Sequence, residues 1–206
     1  MSRLAILDKP DQPRTASEDR AADVLLTAAD LIYRNGFDAT SMSDIAASVN
    51  LTKAGLYYYT KGKLDLLFKI MEFAMDCIER EVVDPCAAIA DPETRLREIV
   101  SRHLKTVIVT GGGITLLTEE DQKLPTARRK AISTRKRRYF DLARDTLVQL
   151  KAGDRLRPID PSAATHNLFS AILGIARWYR PDGPLSGEEA ANETAGFILA
   201  GLLKDE

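Results

Sequence analysis

The chain has 206 residues, of which 45% are hydrophobic and 29% charged, a balance typical of globular proteins and unlike that of disordered or fibrous chains. Its formal net charge is −1, so any nucleic-acid footprint must be local rather than global. No apolar run is long enough to cross a bilayer, no secretory signal is apparent, and two cysteines form no disulfide framework. We therefore expect a cytoplasmic protein that does not interact with membranes.

Capping residues predict three helices in the first third of the chain. Thr15 opens the first helix, which Asn35-Gly36 ends. Ser41 and Thr52 open two short helices, the second of which runs to about Tyr59. These two short helices, joined by a tight turn, have the dimensions of a helix-turn-helix, in which the second helix lies in a major groove of DNA.

Helical spacing of apolar residues continues through the rest of the chain. The expected segments are a helix over 63–83 ended by Asp84-Pro85, a helix from Pro92 to the break at Gly111–Gly113, a short segment over Thr115–Gln122, a helix over about 126–151 capped by Gly153, a helix from Pro161 to Pro181, and a last helix from Ser186 to about Leu203. No region alternates with period two, so the predicted fold class is all-α with about nine helices.

The residue content of the third helix favours a surface that faces nucleic acid. From Ile45 to Leu64 the only charged residues are Lys53, Lys61 and Lys63. The same region contains three consecutive tyrosines, Tyr57–Tyr59. A helix in a core would not be expected to expose so many polar ends, whereas phenol and ammonium groups are suitable donors to phosphates.

Two stretches resemble the N-terminal DNA-binding domain of the TetR family of bacterial transcriptional regulators. They are Gly36–Ala46 (GFDATSMSDIA) and Leu51–Lys63 (LTKAGLYYYTKGK), and the resemblance covers about residues 15 to 70. It implies an all-α homodimer that binds double-stranded operator DNA and whose C-terminal domain binds a small effector that lowers operator affinity. On this basis we expect a flexible segment over 1–14, a DNA-binding domain over 15–62 and an effector-binding and dimerisation domain over 63–206.

The resemblance also implies roles for individual residues. By position, the base-facing residues are Lys53, Ala54 and Gly55. The positions that hold phosphates in the family are Thr40, Ser41, Tyr57, Tyr59 and Lys63. Two residues depart from the family pattern: Thr60 replaces a packing aromatic, and Asn50 replaces a glycine in the turn. Asn tolerates the left-handed conformation, so we expect the turn to be retained.

The C-terminal half is similar to TetR-family members that respond to acyl-CoA thioesters. The similarity is in Leu156–Pro161 (LRPIDP) and Trp178–Ser186 (WYRPDGPLS). An alternative interpretation is that the second stretch only separates two helices and that Trp178 lies in a dimer interface. The middle helices offer apolar residues for an acyl chain, and the candidate effector contacts are Met71, Met75, Leu104, Val107, Ile108, Tyr139, Leu142, Phe169, Leu173 and Trp178.

Eight basic residues and no acidic one lie between Gln122 and Tyr139. Three interpretations remain open: a solvated helix face, a contact to the phosphates of a ligand such as coenzyme A, or an additional contact to DNA. The candidates for holding coenzyme A phosphates are Arg135, Arg138 and Arg180.

The last two helices predict an isologous dimer interface, because they combine apolar residues with small residues that permit a close crossing. The candidate interface residues are Leu168, Ala171, Ile175, Trp178, Phe197, Ile198, Gly201 and Leu202.

Signals for enzymatic chemistry are weak. His103 and His166 stand alone, without a second ligand at metal-binding spacing. Neither cysteine has a basic neighbour in sequence to activate it. We expect no catalytic residue, metal or cofactor. The competing hypothesis is an all-α enzyme or lipid carrier that does not bind DNA.

Overall fold

The computed structural model describes residues 15–111 and 120–204, and in these ranges every regular element is helical. The described helices are α1 (Ala16–Asn35), α2 (Met42–Ser48), α3 (Lys53–Tyr59), α4 (Lys63–Ile78), α5 (Asp84–Ala87), α6 (Pro92–Thr110), α7 (Thr126–Ala152), α8 (Pro161–Trp178) and α9 (Gly187–Leu202). A π-helical turn (Glu79–Val83) precedes α5, and a 3-10 turn (Asp121–Lys123) precedes α7. The all-α prediction is confirmed. The predicted segment 1–14 and most of Thr115–Gln122 lie outside the described residues.

The predicted helix starts are confirmed by their caps. Thr15, Ser41 and Ser186 each accept a hydrogen bond from the backbone N–H three residues later, and the acidic side chain of that later residue accepts from the N–H of the cap. Thr52 accepts from the N–H of Gly55 at 3.0 Å. Each of these bonds satisfies a donor that the first turn of a helix leaves without an intrahelical partner.

Two turns depend on backbone conformations with positive φ. Gly36 takes φ 85° at the end of α1, where its N–H donates to the carbonyl of Ile32 at 2.8 Å. Asn50 takes φ 55° between α2 and α3. The prediction that asparagine can replace glycine in this turn is confirmed, because asparagine enters the left-handed region at lower cost than most residues.

The predicted helix end at Asp84-Pro85 is wrong. Helical winding continues from α4 through the π-helical turn into α5, which ends at Ala87. The N–H of Asp84 donates to the carbonyl of Glu79, five residues earlier. Proline lacks the N–H that a continuing helix would use, and it lies here at the second position of α5, directly after the π-helical turn.

The end of α7 lies at the predicted position, because the helix ends at Ala152 and Gly153 follows it as the cap. The left-handed residue is Asp154, with φ 57°, and not Gly153. The N–H of Arg155 donates to the carbonyl of Leu150 at 2.9 Å, which is the six-residue bond of a Schellman motif. Aspartate tolerates this conformation, so the position after the cap does not require glycine.

The chain divides into two compact units. The first comprises the described residues of Met1–Asp76 and Val109–Ser133, and the second those of Cys77–Ile108 and Thr134–Glu206. In the first unit α1 packs on α2 and α2 packs on α3. In the second unit α8 packs on α9. The unit boundaries fall inside α4, α6 and α7, so the predicted domain division between residues 62 and 63 stays a prediction.

Candidate functional site

The start of α3 is exposed on one face and anchored on the other. Lys53 and Ala54 are exposed and Gly55 is half-buried, whereas Leu56 is fully buried. A Cβ atom on Gly55 would lie 3.3 Å from the Oγ1 atom of Thr52, the residue that caps the helix. The first turn of α3 therefore presents one ammonium group and two small residues, which permits close approach of its backbone to another molecule.

The end of α3 exposes aromatic phenols. Tyr57 is 48% exposed and Tyr58 is 84% exposed, so neither packs in the core. Tyr59 is half-buried, and its ring meets that of Tyr58 edge to face with 5.3 Å between centroids. Tyr58 was not among the predicted contacts although it is the most exposed of the three. The run of tyrosines was visible in the sequence, but only the packed helix shows which ring faces outward.

The two hydroxyl residues before α2 have different environments. Ser41 is exposed, and its Oγ accepts from the N–H of Asp44 at 3.1 Å. The Asp44 carboxylate accepts from the N–H of Ser41 at 2.9 Å, and hydrogen bonds from the hydroxyl and the N–H of Ser41 lower its pKa. Thr40 is buried, and its hydroxyl donates to the carbonyl of Gly36 at 2.8 Å. Because this hydroxyl is engaged inside the unit, Ser41 offers the accessible side chain at this position.

Lys63 and Lys123 lie near the same aromatic ring. The Nζ atom of Lys63 is 4.5 Å from the centroid of Phe37 and donates to the carbonyl of Asp38 at 3.3 Å. The Nζ atom of Lys123 is 5.5 Å from the same centroid and 2.5 Å from the Asp38 carboxylate. The hydrogen bond from Lys123 lowers the pKa of Asp38. Lys123 therefore balances the Asp38 carboxylate, which also interacts with Lys63, a function that no local sequence signal indicates.

Asp65 joins the turn after α3 to the start of α7. Its mostly buried carboxylate accepts from the N–H of Lys61 at 2.9 Å and from the guanidinium of Arg128 at 2.6 Å. The hydroxyl of Thr60 is 3.1 Å from the same carboxylate. The Lys61 N–H contributes most to lowering the pKa of Asp65, and Arg128 and Thr60 add to it. A polar Thr60 thus has a structural use where the family has a packing aromatic.

The part of the basic run in the second unit is also paired with acids. Arg135 makes two hydrogen bonds to the carboxylate of Glu79, at 2.8 and 2.7 Å, and the first cause of the lowered pKa of Glu79 is this contact. Arg138 donates to Asp84 at 3.0 Å but is 59% exposed. These pairs favour a structural use for much of the run. Arg138 retains enough exposure to reach another anion.

The remaining residues predicted to contact the effector are buried, half-buried or exposed. Met71 and Met75 are buried in the first unit. In the second unit Leu104, Val107 and Tyr139 are buried, whereas the half-buried residues are Ile108, Leu142, Phe169 and Leu173. Trp178 and Arg180 are exposed. The apolar candidates of the second unit therefore include both core residues and residues that reach its surface.

His103 lies among these residues, although the sequence indicated only an isolated histidine. Its Nδ1 atom is 3.0 Å from the phenol oxygen of Tyr139, and both side chains are buried. The rings of Tyr139 and Phe169 meet edge to face at 4.9 Å. Burial lowers the pKa of His103 to about 3 and raises that of Tyr139, so both are neutral at pH 7. Within the described chain, the Nε2 atom of His103 has no hydrogen-bond partner.

The predicted dimer residues are divided between core and surface. Leu168, Ile175, Ile198 and Leu202 are buried within the second unit, and Ala171 is half-buried. Trp178 is 51% exposed, Phe197 is 79% exposed, and Gly201 is exposed. A partner can contact only side chains at the surface, so the exposed residues are the ones available for an interface.

The described residues contain neither a membrane-spanning helix nor a cluster of metal ligands. No described helix is both long and apolar enough to span a membrane. Within residues 15–111 and 120–204, no group of three or more His, Cys, Asp or Glu side chains is positioned to hold a metal ion.

Both halves of the chain match models of known protein families. Residues 24–70 match the model described as bacterial regulatory proteins, tetR family. Residues 90–202 match the model described as the tetracyclin repressor-like C-terminal domain. The second match alone spans more than half of the chain.

Individual relatives agree with these matches. The HTH-type transcriptional repressor KstR2 of Mycobacterium tuberculosis (strain ATCC 25618 / H37Rv) is 22% identical over 188 residues, which cover 90% of this chain and 94% of KstR2. The solved structure of KstR2 has a TM-score of 0.81 and supports the fold. AibR, solved in complex with isovaleryl coenzyme A and operator DNA, is 33% identical with a TM-score of 0.74, covering 86% of this chain and 97% of AibR.

The helix-turn-helix and the helical C-terminal half define a ligand-responsive DNA-binding protein. The chain belongs to the TetR family and is a DNA-binding transcriptional regulator with a ligand-binding C-terminal domain. The matched families contain transcriptional regulators and not enzymes, so the competing hypothesis of an enzyme or lipid carrier is set aside.

Proposed function

We propose that the chain acts in the cytoplasm as a homodimer that binds a pseudo-palindromic operator through α2 and α3 and releases it when an acyl-CoA thioester binds. The observation that supports this effector is the relationship to AibR, which is 33% identical and was solved with isovaleryl coenzyme A and operator DNA. The similarity covers 86% of this chain, so it includes most of the C-terminal half as well as the helix-turn-helix.

In this proposal the first turn of α3 reads the bases. The ammonium of Lys53 can donate to the O6 or N7 atom of guanine, and Ala54 and Gly55 leave space for the DNA. Contacts to phosphates come from Ser41, Lys63 and the tyrosines at the end of α3. Of these, Ser41, Tyr57 and Tyr58 are exposed, and Tyr59 and Lys63 are half-buried. Thr40 supports the interface from inside, because its hydroxyl is engaged by a backbone carbonyl.

The acyl chain is proposed to bind among apolar residues of the second unit. Leu104, Val107 and Tyr139 are buried there, and Phe169 and Leu142 are half-buried. The phosphates of coenzyme A stay near the surface, where Arg138 and Arg180 are exposed. Arg135 is a weaker candidate because its guanidinium already makes two hydrogen bonds to Glu79.

The proposed coupling requires little free energy. A hundredfold loss of operator affinity needs a ligand that prefers the released state by about 2.7 kcal/mol, and operator DNA must then weaken ligand binding by the same factor.

The test is a gel-shift titration of full-length protein on DNA from upstream of its own gene. Isovaleryl-CoA, isovaleric acid and free coenzyme A are added in parallel to the preformed complex. We expect only the thioester to release the DNA, because its acyl and nucleotide parts bind together. Release by an unrelated cationic or aromatic drug alone would contradict the acyl-CoA proposal and leave the regulator assignment intact.

A further inference from the structure

The pair His103 and Tyr139 forms a buried polar contact between two helices of the second unit. His103 is on α6, Tyr139 is on α7, and their contact of 3.0 Å joins the two helices. The ring of Phe169 on α8 lies 4.9 Å from that of Tyr139 and 6.0 Å from that of His103. Three helices of one unit therefore converge on a single imidazole.

The hydrogen bond between the Tyr139 phenol and Nδ1 of His103 can run in either direction, and the direction determines which ring nitrogen carries the proton. A neutral histidine has one ring nitrogen that donates and one that accepts. A neutral phenol that donates to Nδ1 leaves the proton of His103 on Nε2. Nε2 is then a buried N–H donor, and in the described chain no protein group accepts from it. A buried donor without an acceptor is destabilising. A bound molecule that accepts a hydrogen bond from Nε2 would remove this cost.

The residues beside the pair lead from the interior of the unit to its surface. Leu142 follows Tyr139 by three positions on α7, and Leu173 follows Phe169 by four positions on α8, so the members of each pair share a helix face. Tyr139 is buried, whereas Leu142, Phe169 and Leu173 are half-buried. An acyl chain bound along these helix faces would therefore contact apolar side chains and have the imidazole at its buried end.

We infer that His103, oriented by Tyr139, donates a hydrogen bond from Nε2 to the carbonyl oxygen of an apolar acyl ligand. This inference rests on the proposed function, because it assigns a partner to the thioester carbonyl of the effector. A carbonyl oxygen is an acceptor without a charge, which suits a neutral donor in an apolar environment. The protein then distinguishes an acyl thioester from a ligand that has the same shape but lacks the oxygen.

The experiment compares two ligands that differ in that oxygen. Isovaleryl-CoA and its thioether analogue, S-(3-methylbutyl)-CoA, are titrated calorimetrically into full-length wild-type protein without DNA. We expect the thioester to bind about tenfold more tightly, which corresponds to about 1.4 kcal/mol. A buried donor that loses its acceptor accounts for this preference.

Variants assign the preference to one residue. His103→Leu should bind both ligands within about twofold of each other, whereas His103→Gln, which keeps a side-chain N–H donor, should recover part of the preference. His166→Leu is the matched control, because His166 is exposed on α8 and should not change the ratio. Circular dichroism confirms that each variant is folded before titration.

The outcomes separate this inference from the proposed function. Equal binding of the two ligands by the wild-type protein overturns the role of His103, while release of DNA by the thioester still supports the acyl-CoA effector. If the two ligands bind equally, a buried water is the expected acceptor for the Nε2 N–H of His103. If neither ligand binds the wild-type protein, both the carbonyl contact and the acyl-CoA effector are wrong, and DNA binding is unaffected.

Discussion

Lys53 and Lys63 have different tasks in the proposed interface, and single substitutions separate them. Lys53→Ala should cost about 1–3 kcal/mol of operator binding and relax the preference at one base position per half-site, because it removes a base contact. Lys63→Ala should weaken binding to all sequences alike and reduce the salt dependence by about one unit per lost phosphate contact. Fluorescence anisotropy on a set of single-base operator variants, over a range of salt concentrations, measures both effects.

The control for these substitutions is Lys105→Ala, which removes an exposed ammonium from α6 in the second unit. It should leave affinity and salt dependence unchanged. A change of base preference in Lys63→Ala would show that the two roles are assigned incorrectly.

His103 makes stability depend on pH. Its pKa is about 3 in the folded chain, whereas an ordinary histidine titrates near 6.5, so below that pH the unfolded chain binds a proton that the folded chain does not. The free energy of unfolding should therefore fall as pH decreases from 6.5 to 5, by about 1.5 kcal/mol for this residue. Urea unfolding at fixed protein concentration measures the fall.

The double variant His103→Leu with Tyr139→Phe should lack this contribution. It replaces both polar partners by apolar groups, so neither is left buried without a partner. A fall of equal size in the double variant would mean that other groups cause the pH dependence.

At the scale of helices, the contact between Asp65 on α4 and Arg128 on α7 should hold the turn after α3. Asp65 also accepts from the N–H of Lys61, so loss of Arg128 leaves a mostly buried carboxylate with fewer donors. Arg128→Met should destabilise the protein by about 1–3 kcal/mol and speed amide exchange at Lys61. Urea unfolding and hydrogen exchange measure the two effects.

Arg129→Met is the matched control, since the Arg129 guanidinium donates to the exposed side-chain amide oxygen of Gln122 at 3.3 Å. It should change stability by less than about 0.5 kcal/mol. Equal effects of the two substitutions would show that the ion pair with Asp65 does not hold the turn.

At the scale of the whole molecule, the exposed side chain of Phe197 should lie in the dimer interface. It is 79% exposed in the single chain, and an obligate interface of this class buries more than about 2,000 Å². Phe197→Glu should therefore give a monomer in sedimentation velocity at micromolar concentration. It should also abolish operator binding, because one recognition helix contacts only a half-site.

Val148→Glu provides the comparison, because Val148 is another exposed apolar residue, on α7. It should remain dimeric and bind the operator. A dimeric Phe197→Glu variant would place the interface elsewhere on the chain.

Local features of this protein could be predicted from its sequence alone. The caps at Thr15, Ser41 and Ser186 and the left-handed Asn50 depend on hydrogen bonds and dihedral angles within a few residues. The family resemblance likewise rests on continuous stretches. The continuation of the helix through Pro85 was missed because a change to π-helical bonding leaves no simple sequence signal.

Only the tertiary structure decided how these elements use their side chains. The partner of Lys123 is 85 residues away in sequence and that of Arg128 is 63 residues away. Burial likewise separated Thr40 from Ser41 and gave His103 its phenol partner. Such contacts depend on which helix faces meet, whereas periodicity and caps report only that helices form. The sequence therefore identified the class of protein. The packing decided which of its residues are available to DNA, ligand or partner.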